Sequence, residues 1–399
     1  MKKQLKITVV KIINSFLKPK KFDLVIYDDI YPHPVSGFRL EEFTILLSTI
    51  KNSKILLNPI AYPIVNTDIK LHPIHVNQIT SNNLQLTGKL KPINRFVFFN
   101  SKLFYCIFIN NIYKVIDYLE ISQTPFVFTL YPGGGFQMYD IQSDLKLKRV
   151  LLSPMFKMVI VTQNITKDYL IANKFCAESK IKLIFGGVVP QNSLIKDGVG
   201  RKNYFPDKST LDICFCAGKY MPKGIDKGYD VFIQLAKLLS EKYNFIKFHI
   251  IGGFNAEDTD VSEIKDKIKF YGYQDFKNLE LIFKEIDIII SPNKSFVLNK
   301  GSFDGFPLGT IIEASLNGVL AIVTDDLNQN TNFKNNEELF ITKSNCYEIE
   351  KVVNYLIANP KRIIEIAQKG KTKFQQVYSN RNQMLPRIQL LQNLIDEIQ

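Results

Sequence analysis

The chain has 399 residues, 46% of them hydrophobic and 22% charged, which is the composition of a globular protein too long for one ordinary core. Lysine and arginine outnumber aspartate and glutamate by 51 to 38, giving a formal net charge of +13. The lysines are spread along the chain with acids between them, so nucleic acid is not the expected partner. No run of 18 apolar residues predicts a transmembrane helix.

Residues 1–21 combine apolar side chains with seven lysines. Lys11 interrupts what would be a signal-peptide core, which leaves two alternatives: a terminal helix packed on its own domain, or an interfacial helix on an anionic membrane. The five cysteines are odd in number and lack zinc spacing, which indicates reduced thiols. We therefore expect a cytoplasmic protein, which the second alternative would place at the inner face of the membrane.

The first half of the chain alternates predicted strands with predicted helices. Strands are expected at 22–27, 54–57, 95–99, 125–130, 158–162 and 182–185, and helices at 39–50, 103–121, 145–152 and 166–173. Such alternation predicts an α/β domain with a parallel sheet and helices on both faces. A polar stretch follows it, and we place an interdomain linker at 191–204.

The second half repeats this pattern. Strands are expected at 211–217, 247–251, 268–271, 286–291 and 319–324, and helices at 231–242, 347–358, 361–376 and 385–398, with a break at Pro360. The sequence therefore predicts two domains of the same class, at 1–190 and 205–375.

Ligands of open α/β sheets bind beyond the carboxyl ends of the strands, so the loops there are candidates for a site. The loop after the first strand contains Gly37, which could bring backbone close to a phosphate. On the acceptor side, His33 and Arg39 could add charge, and Asp28 and Asp29 could act as a base toward an acceptor hydroxyl. The alternative is a surface loop in which Ser36 caps the following helix.

A glycine-rich loop follows the strand at 125–130. Tyr131 is followed by Pro132 and by Gly133, Gly134 and Gly135, and three glycines would let a ligand touch the main chain. Their spacing is not that of a dinucleotide fingerprint, and the chain has no P-loop.

Two loops of the second half combine cations, glycines and acids. Residues 218–230 contain Lys219, Lys223 and Lys227, and residues 303–314 read FDGFPLGTIIEA. In the latter, backbone N–H groups and a helix N-terminus could hold an anion, with carboxylates beside them for hydroxyls. An anion flanked by sugar hydroxyls describes a nucleotide-sugar. The alternative is a capping box formed by Thr310 and Glu313.

Together these segments resemble family-4 glycosyltransferases, which have the GT-B fold. The resemblance rests on Lys227-Gly228-Tyr229-Asp230, on the segment from Lys180 to Val189, and on Asp304 and Glu313, which are separated by eight residues where the family has seven. It implies two Rossmann-like, doubly wound parallel-sheet domains facing across a cleft. It also implies that a C-terminal helix at 380–399 crosses back to the N-terminal, acceptor-binding domain.

The resemblance also implies roles for individual residues. Lys219 and Lys227 would neutralise the donor diphosphate, with Lys223 as an alternative, and Asp304 would lie near the transferred sugar. Glu313 would hold the ribose hydroxyls and Tyr273 would lie near the base. The turn would contact phosphate through Gly305, Phe306, Pro307, Leu308, Gly309 and Thr310. The histidine that such acceptor domains often carry has no counterpart near Tyr131.

The expected function is therefore a glycosyltransferase, retaining and independent of metals or other cofactors. It would move a hexose-type sugar from a nucleotide-diphosphate donor to a hydroxyl of a glycan or a lipid-linked oligosaccharide. Asp258 and Asp260 have the Asp-x-Asp form of a cation site, but their polar surroundings favour a solvated turn. The alternatives are a non-catalytic partner subunit and a nucleotide-sugar epimerase of the same fold.

Overall fold

The computed structural model describes residues 22–65, 67–93, 100–190 and 203–398. The predicted strand at 95–99, the segment 1–21 and nearly all of the predicted linker lie outside these residues. The chain divides into two compact units, one formed by Met1–Pro190 with Asn380–Gln399 and the other by Gln191–Ser379. None of the helices in the described residues is long and apolar enough to cross a membrane.

The first unit contains a seven-stranded sheet in the order β3-β2-β1-β4-β5-β6-β7, with all neighbours parallel. Its strands are β1 (Phe22–Asp28), β2 (Ser53–Leu57), β3 (Leu90–Pro92), β4 (Ser101–Ile107), β5 (Phe126–Leu130), β6 (Phe156–Val161) and β7 (Ile181–Leu183). Its helices are α1 (Gly37–Thr49), α2 (His72–Asn82), α3 (Ile109–Ile121), α4 (Ile141–Leu151) and α5 (Asn164–Ala172). The strand order reverses between β1 and β4.

The second unit contains a six-stranded parallel sheet in the order β10-β9-β8-β11-β12-β13. Its strands are β8 (Leu211–Cys216), β9 (Ile246–Ile251), β10 (Ile268–Phe270), β11 (Ile288–Ser291), β12 (Leu320–Thr324) and β13 (Phe340–Thr342). Its helices are α6 (Tyr229–Lys242), α7 (Phe276–Glu285), α8 (Gly309–Leu316), α9 (Cys346–Ala358) and α10 (Lys361–Val377). The predicted class, two doubly wound parallel-sheet units, is confirmed.

One predicted element was wrong. Residues 103–121 were expected to form a single helix, but 103–107 belong to the central strand β4 and only Ile109–Ile121 is helical. Leu103 through Ile107 are completely buried. A parallel strand covered on both faces is a continuous apolar run, so periodicity cannot separate it from the buried helix that follows.

Four short elements were not predicted at all: α2, α7, β3 and β13. Helix α2 has no buried residue, and β3 and β13 have three residues each. Elements with so little buried surface leave a weak hydrophobic pattern in the sequence.

The last helix, α11 (Asn380–Glu397), packs within the first unit. Met384, Leu391 and Ile395 join the apolar cluster that contains Leu24 and Ile26 of β1. The Gln383 side-chain amide donates to the carbonyl of Phe185 at 2.8 Å. Helix α11 therefore packs against the sheet of the first unit.

A buried polar cluster also fixes α11. The Arg387 side chain is completely buried, with Nη1 donating to the Gln383 carbonyl at 2.6 Å and Nε 4.0 Å from the Glu42 carboxylate. Tyr105 and Tyr131 donate their hydroxyls to the two oxygens of Glu42, Tyr131 at 3.0 Å. Because Glu42 lies in α1, this cluster ties the last helix to the first.

Replacing Arg387 by leucine should lower the free energy of unfolding of the first unit by roughly 3–5 kcal/mol, because the Glu42 carboxylate would stay buried without its cation. Urea unfolding followed by circular dichroism measures the change. Adding Glu42→Gln should recover much of the loss. Leu385→Ala, at a half-exposed position of the same helix, is the control. A change below about 0.5 kcal/mol in Arg387→Leu would show that the pair does not stabilise the unit.

Candidate functional site

The second sheet reverses its strand order between β8 and β11, and the loops that follow these two strands carry most of the candidate residues. Lys219, Lys223 and Lys227 follow β8, and Asp304 lies in the long loop after β11. A reversal point of this kind is where open α/β sheets bind ligands, because the connections from the two strands run to opposite faces of the sheet and leave a crevice beyond the strand ends.

Lys227 is the buried cation of this site. Its side chain is 5% exposed, and Nζ donates to both oxygens of Asp304, at 2.8 and 2.6 Å. The ammonium also lies 3.8 Å from Asp226 Oδ2 and 5.0 Å from the centre of the Tyr220 ring. Lys227 and Asp304, both predicted from the sequence, are therefore brought into direct contact.

Gly228 explains how the two loops come so close. Its φ is +70°, and a Cβ at this position would lie 2.0 Å from the carbonyl oxygen of Pro292, which follows β11. Only glycine combines that backbone conformation with that approach. Asp230 adds a second link, since it accepts from Lys294 Nζ at 2.7 Å. The Lys-Gly-x-Asp pattern thus joins the two loops and holds the lysine between them.

Asp226 is a buried acid that the sequence analysis did not single out. Its two carboxylate oxygens form no hydrogen bond of ordinary geometry within the described residues. Burial raises the pKa of Asp226, Lys227 opposes that shift, and Asp304 adds to it. The Lys227 ammonium therefore lies beside two carboxyl groups, those of Asp226 and Asp304.

The other two lysines of the loop differ from Lys227. Lys219 Nζ donates to Asp258 at 2.5 Å, and the Lys219 N–H lies 3.4 Å from the hydroxyl of Tyr273. Tyr273 is exposed, and its ring lies close over Gly253, where a Cβ would be 2.8 Å from the hydroxyl. Lys223 is exposed on the protein surface.

The two acids of the Asp-x-Asp pattern have other partners. Asp258 pairs with Lys219 and also accepts from the Asn255 N–H at 3.0 Å, while Asp260 accepts from the Ser262 N–H at 3.0 Å. Across the described ranges, no three His, Cys, Asp or Glu side chains are grouped so that they could hold a metal ion.

The turn at 305–309 leads into α8 beside the Lys227–Asp304 pair. Phe306 and Pro307 are buried, whereas Gly309 is exposed and has nothing within 4 Å of the position of a Cβ. Leu308 occupies the N-cap position, and its side chain cannot accept a hydrogen bond. The first N–H groups of a helix lack intrahelical partners, so this helix start offers donors and a positive dipole end to an anion.

The capping-box alternative for Thr310 and Glu313 was wrong. The N-cap residue is Leu308, and the Thr310 hydroxyl donates to the carbonyl of Cys216, at the end of β8, at 2.8 Å. The carboxyl group of Glu313 forms no hydrogen bond with any residue in the described part of the chain, whereas its backbone carbonyl accepts from the Asn317 N–H at 3.2 Å. Burial raises the pKa of Glu313 to about 8. Its carboxyl group is therefore not used in starting the helix.

Gln329 is a further residue that sequence reasoning missed. It is 4% exposed, and its side-chain amide donates to the backbone carbonyl of Asp304 at 3.1 Å. The Asp325 carboxylate accepts a hydrogen bond from the Gln329 backbone N–H at 2.8 Å. The only signal for Gln329 in the sequence is that it lies in a polar stretch directly after β12, the strand that neighbours β11. Gln329 thus fixes the backbone of the residue whose carboxylate holds Lys227.

In the first unit, Arg39 lies at the reversal point between β1 and β4. Its Nε is 3.3 Å from Asp28 and its Nη2 is 3.7 Å from Asp29, and the guanidinium lies 4.9 Å from the centre of the Phe108 ring. Burial raises the pKa of Asp28, with Arg39 opposing the shift. Asp29 also accepts from Asn111 Nδ2 at 3.2 Å. The structure thus brings together Asp29 and Arg39, two of the acceptor-side candidates from the sequence.

The structure does not support a charged His33. The ring is buried, Nδ1 accepts from the Val35 N–H at 3.0 Å, and Nε2 lies 2.9 Å from the hydroxyl of Thr67. Burial lowers the pKa of His33 to about 4. A neutral ring with both nitrogens in hydrogen bonds is a structural group, so the expectation that His33 adds charge was wrong.

Gly37 begins α1, one residue after Ser36. Ser36 occupies the N-cap position, but its hydroxyl forms no capping hydrogen bond, so the structure does not show the side-chain cap of the alternative interpretation.

The glycine-rich loop is close-packed on one side and open on the other. A Cβ at Gly134 would lie 2.1 Å from the Phe108 ring, and one at Gly135 would lie 2.1 Å from Asn110, whereas Gly133 has open space around it. Tyr131 is buried with its hydroxyl on Glu42, so its side chain is a structural group rather than the free acceptor-side group expected. Main chain at Gly133 and Gly134 remains exposed.

The comparisons with known proteins agree with this architecture. Residues 213–373 match the family "Glycosyl transferases group 1". No curated protein matches the sequence. HepE from Anabaena, crystallised with UDP, is 12% identical at a TM-score of 0.66, over 95% of this chain and 100% of its own.

Two further solved structures are similar over nearly their full length. A glycosyltransferase from Rickettsia africae is 15% identical at a TM-score of 0.66, over 94% of this chain and 99% of its own. Sucrose-phosphate synthase from Thermosynechococcus elongatus is 12% identical at a TM-score of 0.59, over 95% of this chain and 100% of its own. At such identities the likeness concerns the fold.

The fold of the two units is therefore GT-B, and the family match identifies the protein as a glycosyltransferase. The family match lies within the second unit, from β8 through most of α10.

Proposed function

We propose that the protein transfers a hexose-type sugar from a nucleotide-diphosphate donor to a hydroxyl of a glycan or a lipid-linked oligosaccharide. The observation that carries the proposal is the contact of buried Lys227 with Asp304, directly before the turn that starts α8. HepE has been crystallised with UDP and with UDP-glucose, which supports a nucleotide-sugar as the donor.

In this proposal the diphosphate lies between the Lys227 ammonium and the N-terminus of α8. Both groups place positive charge where the departing diphosphate gains negative charge, which is a principal way in which enzymes stabilise such a transition state. Lys219 would add a second cation once it leaves Asp258. With this charge supplied by the chain, we propose a metal-independent reaction, and one that retains the anomeric configuration.

Glu313 would accept hydrogen bonds from the ribose hydroxyls, and the exposed Tyr273 would lie beside the base. In the first unit, Asp29 and Arg39, which meet at the reversal point of the sheet, would be the acceptor-side residues. We also propose a cytoplasmic location, with the seven lysines of residues 1–21 drawing the chain to the inner face of the membrane.

A panel of nucleotide-sugars tests the proposed reaction. The protein is incubated with each one, and nucleoside diphosphate released by slow hydrolysis is measured, first alone and then with candidate acceptors. Release from one donor that rises with an acceptor is expected. No release from any donor, together with no binding of a nucleoside diphosphate, would contradict the proposal.

Lys227→Ala should lower turnover of the active donor by at least roughly 100-fold, because the diphosphate loses its buried cation. Lys223→Ala, which removes an exposed lysine of the same loop, is the matched control and should reduce turnover far less. Circular dichroism checks that both variants fold. Comparable turnover in the two variants would remove Lys227 from the diphosphate site.

Nucleoside diphosphate affinity should rise with pH through the pKa of Glu313, which burial raises to about 8. Ribose hydroxyls donate hydrogen bonds to the ionised carboxylate, so below pH 8 the Glu313 carboxyl group must lose its proton when the nucleotide binds. Below pH 8 the affinity should therefore rise by up to roughly tenfold for each pH unit. Calorimetric titration from pH 7 to 9 measures this. Glu313→Gln should bind weakly, without the rise, and an unchanged affinity in that variant would exclude the ribose role.

A further inference from the structure

The segment between β2 and β3 presents an unusual number of exposed aliphatic side chains. It consists of the 3-10 turns Pro59–Val65 and Ile69–Leu71, helix α2, and the 3-10 turn Leu84–Leu86, which adjoin one another. Ile64 is 81% exposed and Leu84 is 78% exposed. The exposed large hydrophobic residues of this segment, here called the aliphatic surface, are Ile60, Ile64, Ile69, Leu71, Ile74 and Leu84.

Helix α2 at the centre of this segment buries none of its residues. Isolated helices of this length are marginal in water, and a helix in a protein normally gains stability by covering an apolar face. Val76 and Ile79 of α2 pack half-buried against the core of the unit, whereas Ile74 is 50% exposed among the described residues. A group of such exposed aliphatic side chains indicates a site of interaction with something outside the unit.

The aliphatic surface has a packed base. Tyr62 is completely buried, and its hydroxyl lies 3.1 Å from Nδ1 of His75 in α2. The Ala61 N–H donates to the carbonyl of Asp29 at 3.1 Å, and the His33 ring stacks edge-on against Tyr62, with ring centres 4.8 Å apart. The segment is therefore fixed to the loop after β1, which carries the acceptor-side residues.

The charges around the aliphatic surface have one predominant sign. Residues 59–93 contain one carboxylate, Asp68, and three lysines, Lys70, Lys89 and Lys91. Lys89 Nζ donates to the backbone carbonyls of Leu47 and Ile50, while Lys70 and Lys91 are exposed. Cationic side chains beside an uncovered aliphatic face suit an anionic surface.

The residue composition of the aliphatic surface also favours a lipid over a protein as its partner. The centres of protein–protein interfaces are enriched in aromatic residues, methionine and arginine and depleted in lysine. The exposed hydrophobic residues here are all isoleucine or leucine, and the nearby cations are all lysine. Aliphatic side chains with lysines around them are the pattern of a surface that enters the boundary between headgroups and acyl chains.

We propose that the aliphatic surface docks the protein on an anionic lipid bilayer. Ile64, Ile74 and Leu84 enter the interface, and Lys70 and Lys91 contact the headgroups. A lipid-linked acceptor would then be presented beside Asp29 and Arg39. That part rests on the proposed function, whereas the lipid contact itself does not.

Co-sedimentation of the full-length protein with lipid vesicles tests the contact without donor or acceptor. One set of vesicles contains phosphatidylcholine with about one third phosphatidylglycerol, and the other contains phosphatidylcholine alone. The protein should bind the anionic vesicles more strongly. Ile64→Asp and Leu84→Asp should each reduce that binding about tenfold or more, because a carboxylate in the interface opposes insertion and repels the lipid.

Leu152→Asp is the matched control. Leu152 is 74% exposed in the same unit but lies beyond the end of α4, and its substitution should leave vesicle binding unchanged. Equal loss in all three variants, or vesicle binding by Ile64→Asp and Leu84→Asp at the wild-type level, would overturn the proposal. So would a wild-type dimer that Ile64→Asp converts to a monomer without any vesicle binding, since a second copy would then cover this surface.

Donor hydrolysis in vesicle-free solution should be the same in Ile64→Asp as in the wild type. Loss of vesicle binding with hydrolysis intact supports the docking surface. Loss of hydrolysis in this variant would indicate a general structural defect. Vesicle binding and donor hydrolysis would then be measured in Leu84→Asp, and loss of vesicle binding with hydrolysis intact would support the docking surface. Absence of hydrolysis in the wild type concerns only the proposed function, because vesicle binding is measured without donor.

Discussion

Both sheets consist entirely of parallel strands, and this constraint determines where every candidate functional group lies. Parallel strands need crossover helices, so all loops that follow strands emerge at one edge of each sheet. Where the strand order reverses, between β1 and β4 and between β8 and β11, neighbouring loops diverge and leave room for a ligand. Arg39 and Lys227 each stand at one of these two points. The same geometry thus supplies an acceptor-side candidate in one unit and a donor-side candidate in the other.

Within the proposed donor site, the balance of charge around Lys227 is the feature on which the proposed chemistry depends. Asp304 holds the Lys227 ammonium with two hydrogen bonds, and Asp226 lies 3.8 Å from it. A buried lysine without a counter-ion would be costly, so this pair stabilises the loop that carries Lys227. A diphosphate would replace Asp304 as the partner of Lys227, which would release the Asp304 carboxylate toward the hydroxyls of the transferred sugar.

The sequence predicted the groups that lie close together along the chain, because turns, helix starts and parallel strands depend on a few residue types. The lysine loop and the turn from Asp304 to Glu313 are of this kind. It did not predict the partners that folding brings from far along the chain: Gln329, 25 residues beyond Asp304, or Glu42, whose contact with Tyr131 makes that tyrosine structural. The merged helix prediction at 103–121 has another cause, since a strand buried on both faces loses the alternation that identifies it.

A crystal structure of the protein with the nucleoside diphosphate of its active donor would show whether Lys227 and α8 hold the diphosphate. We expect phosphate oxygens within hydrogen-bonding distance of Lys227 Nζ and of the first N–H groups of α8, with the ribose hydroxyls on Glu313. We also expect the Lys227–Asp304 separation to lengthen beyond about 4 Å, the limit of an ion pair. A bound diphosphate elsewhere, with the two hydrogen bonds between Lys227 and Asp304 intact, would contradict this expectation.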